Sequence, residues 1–244
     1  MAIILASSFN CTKKCRNSDK RRAIPITDVN AYLTNIKKFV QKYDNFVLIA
    51  NDPSDCEMND YRFGLVCQSL EMSGLIFKNK TFLDNRNKRK AKEIISNADL
   101  IFLQGGCLPC QLEFFARIGL KKLIQQHNGL IVGSSAGAMN LCQTVFNYPE
   151  VAEEIDDRQG NEFFLRGLGF YNQIFVPHFD GKKKRYCACT TDFDPLRDYI
   201  LPLSHGREFI ACNDGAYILL DGGAAQYFGD FYLIKDGSIV GYKN

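Results

Sequence analysis

Leu130-Ile131-Val132-Gly133-Ser134-Ser135-Ala136-Gly137-Ala138 is the stretch that decides the fold. An apolar strand runs into Gly-Ser-Ser-Ala-Gly and then into a helical segment, Ala138-Met139-Asn140-Leu141. In that context the two glycines leave room for a strained bend that projects the Ser135 hydroxyl above a sheet edge, which is a nucleophile elbow. Backbone N–H groups of the helix start behind Ser135 point at any oxyanion formed by attack, and Ala136 N–H is the natural donor. A plain tight turn or an anion-binding turn would also use small residues here, but neither requires a serine between the glycines.

Outward from this turn, short apolar runs alternate with helical periodicity, the pattern of βαβ units and a mostly parallel sheet. The runs predict strands over 2–7, 45–50, 74–78, 99–104, 129–133 and 172–177. Val29, Leu33, Ile36 and Val40 recur at helical spacing with Lys37, Lys38 and Lys42 on the other side. A crossover helix is expected over about 108–127, with Pro109 in its first turn and Asn128-Gly129 ending it. A shorter polar helix is expected over 87–97. After about residue 207, three apolar segments are separated by Asn213-Asp214-Gly215, Asp221-Gly222-Gly223 and Lys235-Asp236-Gly237, all hairpin-type signals. The expected fold class is therefore α/β, with a mostly parallel central sheet flanked by helices and a C-terminal antiparallel β extension. No linker-like composition divides the chain, so residues 1–244 are expected to form a single domain.

Composition narrows the function classes. The 244 residues carry 30 basic and 27 acidic side chains, a net charge of +3 that is too weak a field to suggest nucleic acid as partner. No apolar run reaches the roughly 18–20 residues of a bilayer crossing. The apolar start, residues 1–9, lacks a basic leader and reads as the first strand, which sets a cytoplasmic expectation. Ten cysteines include the close pairs Cys11/Cys15, Cys107/Cys110 and Cys187/Cys189. Their spacings match no known zinc ribbon or finger, so reduced thiols used as small apolar residues are expected, with no metal and no cofactor. A homodimer is the default oligomer.

A serine nucleophile needs a base, and the chain has only His127, His178 and His205. His127 falls in a last helical turn, where a cation suits the dipole and a structural cap is the plain explanation. His178 follows the apolar run 172–177 and would emerge on the edge that carries the elbow; His205, in a turn, is the fallback. A carboxylate to orient the imidazole should lie between nucleophile and base or just after it. Glu150 is the first choice, then Glu153 or Glu154. Gly106, in Leu103-Gln104-Gly105-Gly106 at the end of the preceding strand, offers the second oxyanion donor.

Taken together, Gln-Gly-Gly after a strand, Gly-Ser-Ser-Ala-Gly-Ala, an acidic segment and Val-Pro-His-Phe-Asp resemble the serine peptidases of the aspartyl dipeptidase (peptidase E) and cyanophycinase family. These are related in fold to class I glutamine amidotransferases. The resemblance implies Ser135 as nucleophile and His178 as general base. Glu150 matches the dipeptidase spacing, whereas the cyanophycinase spacing points nearer Glu153 or Glu154. It also implies hydrolysis of short peptides through an acyl-enzyme, with basic residues after the histidine reading acidic groups. Lys183 and Arg185, in the basic run 182–185, and Gly105 beside the oxyanion donor are the substrate-binding candidates. Two rival readings are an α/β-hydrolase-type esterase, which also uses GxSxG, and a catalytically silent relative that binds a small ligand.

Overall fold

The computed structural model describes residues 1–16, 20–179 and 193–242. The chain opens with β1 (Ala2–Ala6), a hairpin of β2 (Thr12–Lys14) and β3 (Arg21–Ala23), and α1 (Tyr32–Phe39). Alternating crossovers follow: β4 (Asn45–Ile49), α2 (Cys56–Met72), β5 (Asn79–Leu83), α3 (Ala91–Ser96), β6 (Leu100–Leu103), α4 (Leu108–Arg117), α5 (Leu120–Gln125), β7 (Leu130–Ser134) and α6 (Ala136–Met139). After them come β8 (Thr144–Phe146), β9 (Phe164–Arg166), β10 (Ile174–Val176), β11 (Glu208–Cys212), β12 (Tyr217–Asp221), β13 (Ala224–Phe228), β14 (Phe231–Lys235) and β15 (Ser238–Tyr242).

The seven-stranded sheet has the order β13-β12-β1-β7-β6-β4-β5. Its five strands from β1 to β5 in that order are parallel, while β12 and β13 join antiparallel at one side. β7 therefore lies between β1 and β6, with Ile131 opposite Ile3 and Ile101. Alternate residues of β7 face opposite apolar layers: Leu130 and Val132 pack with Ile4, Phe46 and Phe102, and Ile131 with Ile3, Leu103 and Phe114. Burial of each such side chain is worth about 1.5–3 kcal/mol, so the strand that carries the elbow is among the most firmly held. The second sheet, β10-β11-β14-β15, forms its own apolar face with Phe175 on the main core and Ile174, Val176 and Phe209 in a satellite cluster.

Three expectations are corrected. The strand read at 74–78 lies instead at Asn79–Leu83, because Leu75 and Phe77 are buried as a loop closing α2 against the core. The helix read over 108–127 is two, α4 and α5, broken where Gly119 takes a left-handed φ of 64°. The 17-residue α2 had no clear apolar stripe to announce it; its buried positions include Asn59 and Ser69. Of the three C-terminal turns, Asp221-Gly222-Gly223 and Lys235-Asp236-Gly237 close hairpins, β12–β13 and β14–β15. Asn213-Asp214-Gly215 does not: β11 pairs with β10 and β14, β12 with β1 and β13, so this turn carries the chain from the second sheet to the first. Among the described residues, no helix is long and apolar enough to cross a membrane.

Candidate active site

Ser135 occupies the bend between β7 and α6 at φ 52°, ψ −118°, a conformation that costs a non-glycine residue energy and persists only when its surroundings impose it. They do so by close backbone crossing. A Cβ on Gly137 would lie 2.2 Å from the Leu103 carbonyl oxygen, and one on Gly133 2.6 Å from the Gly137 carbonyl oxygen. Only glycine lets α6 sit this low on β6 and β7. The Ser135 amide donates to Ala6 O at 3.0 Å, fixing the bend to β1 as well.

His178 follows β10 after Pro177 and is likewise held at a left-handed φ, 59°. Its amide donates to Ser7 Oγ at 2.6 Å, and the amide of Phe179 donates to Cys212 O at 2.7 Å, so the residues just past β10 are stitched to β1 and β11. The imidazole is thereby delivered to the elbow: Nε2 is 2.8 Å from Ser135 Oγ. Nδ1 is 2.5 Å from Asp214 Oδ1. A carboxylate is an acceptor, so Nδ1 carries the proton and Nε2 is left to accept from the Ser135 hydroxyl. Ser7, fully buried at the end of β1, donates its own Oγ–H to Asp214 Oδ1 at 3.0 Å. One hydroxyl thus fixes both the backbone of the histidine and the carboxylate opposite it.

The carboxylate at the imidazole is a correction. Glu150, Glu153 and Glu154 lie on the segment between β8 and β9, where the Glu150 amide donates to the Glu154 carboxylate at 2.8 Å. The position at Nδ1 belongs to Asp214, on the turn that links the two sheets. The chain order assumed for the acid is reversed, because β12 returns beside β1 and brings its preceding turn to the same sheet edge as β7. Neither Asp214 nor Ser7 was singled out by sequence. The signal present was the turn Asn213-Asp214-Gly215 itself, read as a hairpin.

Gly105 lies against the other side of the serine, and Gly106 follows it in the loop. A Cβ on Gly105 would lie 3.0 Å from Ser135 Cβ, and Gly106 has φ 140° with Asn51 Nδ2 2.1 Å from where a Cβ would be. The loop is anchored by Gln111, fully buried on α4, whose Nε2 donates to Gln104 O at 2.7 Å and whose Oε1 accepts from Asn140 Nδ2 at 2.9 Å. Asn140 closes α6, so the glycine loop, α4 and the elbow helix form one connected unit. Beside Gly105 opens a cavity of about 440 Å³, lined among others by Phe9, Arg21, Tyr61, Arg62 and Phe102. Arg62 donates to the neutral Asn51 Oδ1 at 3.0 Å and Arg21 to Thr12; neither has a carboxylate partner among the described residues. Lys183 and Arg185 lie outside the described residues.

The other histidines are elsewhere. His127 is 5% exposed just past the end of α5, and burial holds its pKa below the ordinary histidine value. His205 sits exposed on the turn before β11, near Gly237. The cysteine expectation holds for Cys142 and Cys67, whose thiols burial pushes up to about 12 and about 11. It fails for Cys107 and Cys110, which are joined as a disulfide across the first turn of α4. Cys187 and Cys189 lie outside the described residues. Among the described residues no cluster of three or more metal-ligating side chains forms.

Comparison with solved structures finds the same fold elsewhere. A peptidase from an acI-B1 Actinobacterium superposes with a TM-score of 0.65 at 17% identity, over 99% of this chain and 96% of that one. A putative peptidase E protein from Listeria monocytogenes EGD-e gives 0.60 at 16% identity, over 93% of this chain and 96% of that one. No curated protein matches the chain. Residues 64–227, which include the glycine loop, the elbow, His178 and Asp214, match the model of peptidase family S51; the chain belongs to that family of serine peptidases.

Proposed function

We propose that the enzyme hydrolyses short peptides through an acyl-enzyme formed on Ser135. The observation that carries this reading is the continuous series Asp214–His178–Ser135, with contacts of 2.5 and 2.8 Å. Ser135 Oγ attacks the peptide carbonyl while its proton passes to His178 Nε2; Asp214 stabilises the resulting imidazolium. The amides of Ala136 and Gly106 receive the oxyanion, and the imidazolium gives its proton to the departing amine. Water, deprotonated by the same nitrogen, then releases the acid.

A preference for acidic peptides is part of the proposal. Arg21 and Arg62, which line the mostly apolar cavity beside Gly105 and have no carboxylate partner among the described residues, support it, and Lys183 and Arg185 are the sequence candidates for the same task. The esterase reading loses ground because α/β-hydrolases run Ser, acid, His along the chain, whereas the series here runs Ser135, His178, Asp214.

The test is a dipeptide and tripeptide library with wild type and Ser135→Ala, alongside labelling by a fluorophosphonate. Wild type should hydrolyse peptides and be labelled at Ser135; the alanine variant should stay folded, escape labelling and lose roughly 10⁴–10⁶-fold in turnover. Near-normal hydrolysis by Ser135→Ala would refute the mechanism. An unlabelled wild type that binds a metabolite tightly would favour the silent relative.

A further inference from the structure

Cys107-Leu108-Pro109-Cys110 is not used by the proposed mechanism, yet it begins one residue after Gly106. Its two cysteines are half-buried and bonded to each other across the first turn of the ten-residue α4, with Pro109 exposed between them. Cys107 is the N-cap residue, its Sγ accepting from the Cys110 amide at 3.4 Å. A sulfur so placed is stabilised as thiolate when the pair is reduced, because the unpaired N–H groups of a helix start favour negative charge. The deeply buried Cys142, with its thiol pushed up to about 12, and the similarly shifted Cys11 lack that advantage.

The pair is also wired to the serine site. Gln104 O is held by Gln111 from the next turn of α4, Leu108 O accepts from Asn140 Nδ2 at 3.3 Å, and Asn140 closes the elbow helix. Any change in the freedom of residues 107–110 therefore reaches the Gly106 amide along the chain and reaches α6 through two buried amide side chains.

We infer that Cys107 and Cys110 form a redox-active dithiol/disulfide site that exchanges with low-molecular-weight thiols and disulfides and sets the rate at Ser135 by fixing or freeing the Gly105-Gly106 loop. The rate-setting half of this inference rests on the peptidase reading; the exchange half does not. In the oxidising direction, the Cys107 thiolate attacks a glutathione-type disulfide and expels one glutathione thiolate, giving a mixed disulfide. The Cys110 thiolate then attacks Cys107 Sγ and expels the second. Two protein thiols become one disulfide, the small disulfide becomes two thiols, and the two protons pass to the departing thiolates. The oxidised state, in which Asp214, His178 and Ser135 are aligned here, is the faster one.

The experiment equilibrates the full-length enzyme in glutathione buffers of graded thiol-to-disulfide ratio, quenches with N-ethylmaleimide and follows the peptide carrying residues 107–110 by mass spectrometry. Peptide hydrolysis and fluorophosphonate labelling are read on the same samples. The alkylated fraction should titrate as a two-electron couple, and kcat/KM should fall roughly tenfold or more on reduction, since one oxyanion donor is loosened and not removed. Cys107→Ser and Cys110→Ser should both sit at the reduced rate in every buffer. Two maleimide adducts at every ratio would overturn the exchange, and so would none at any ratio. A titrating pair with indifferent hydrolysis and labelling rates would overturn the coupling. A titrating pair with no Ser135 labelling in any buffer would refute the peptidase reading on which the coupling stands, while leaving the exchange in place.

Discussion

Asp214→Asn is the perturbation that separates the structural assignment of the third residue from the sequence expectation. Asp214 Oδ1 accepts from His178 Nδ1–H at 2.5 Å and from Ser7 Oγ–H at 3.0 Å, and the aspartate side chain is 48% exposed. Hydrogen bonds to charged groups contribute about 1.5–3 kcal/mol, and half-exposure favours the lower part of that range. At 1.36 kcal/mol per factor of ten, loss of the charge alone slows the reaction by roughly 10- to 30-fold. The amide adds a second effect. If its NH₂ faces Nδ1, that nitrogen becomes the acceptor and the proton moves to Nε2, which then cannot take one from Ser135; a wrong tautomer of this kind costs up to about 10⁴-fold in other serine triads. The expected loss in kcat/KM is therefore about 10²- to 10⁴-fold, measured on the best library peptide with thermal melts confirming the fold. Glu150→Gln, Glu153→Gln and Glu154→Gln should each stay within about threefold of wild type, the ordinary scatter of substitutions outside the reacting groups. A Glu150→Gln enzyme that collapses, beside an Asp214→Asn enzyme within about fivefold of wild type, would overturn the assignment.

Ser7→Ala removes the hydroxyl that accepts from the His178 amide and leaves that N–H without this partner; a loss of about 1–3 kcal/mol in chemical denaturation and about a tenfold fall in kcat are expected, and a variant unchanged in both would show that Ser7 positions nothing. Gly137→Ala sets a methyl 2.2 Å from the Leu103 carbonyl oxygen, a backbone atom that cannot swing away, so overpacking should cost about 1–3 kcal/mol and lower the melting temperature by about 2–4 °C for each. His127 has a folded-state pKa below its unfolded value, so its contribution to stability is complete above the unfolded pKa near 6.5 and is lost as pH falls through the folded one. His127→Gln should accordingly flatten the decline in unfolding free energy below about pH 6.5; urea titrations giving parallel pH profiles for variant and wild type would contradict the burial argument.

Most of the parallel sheet was legible because its strands are buried on both faces and read as apolar runs: Ile3 to Ala6, Phe46 to Ile49, Leu100 to Leu103 and Leu130 to Val132 are all almost fully enclosed. β5 was misread because it is an edge strand, with Asn79 exposed and Lys80 half-buried, while the stronger apolar signal just before it belongs to a loop that plugs the core. α2 escaped notice for a related reason. A long helix that buries Asn59 and Ser69 and spends polar side chains on loop backbones, Asn59 on Asp52 O and Ser69 on Ile24 O, has no clean stripe to display.

At the site, legibility stopped where local sequence ceases to report on topology. The elbow and the glycine loop announce themselves by their glycines: close backbone approach demands glycine at Gly133 and Gly137, and a positive φ against the Asn51 side chain favours it at Gly106. His178 could be located because a strand end fixes where the next residue points. Nothing local distinguishes Asp214 from Asp221 or Asp236, each followed by glycine in a turn between apolar segments. What distinguishes it is the pairing of the strands on either side: Asp221 and Asp236 lie at hairpin turns whose two strands share one sheet, whereas β11 and β12 belong to different sheets. A crossing turn must pass through the seam where the two sheets meet, and that seam also holds the end of β1 with Ser7 and the end of β10 with His178. The carboxylate therefore reaches the imidazole as a consequence of sheet order, which brings together residues as distant in sequence as Ser7 and Asp214, 207 apart, and which no spacing rule read along the chain could supply.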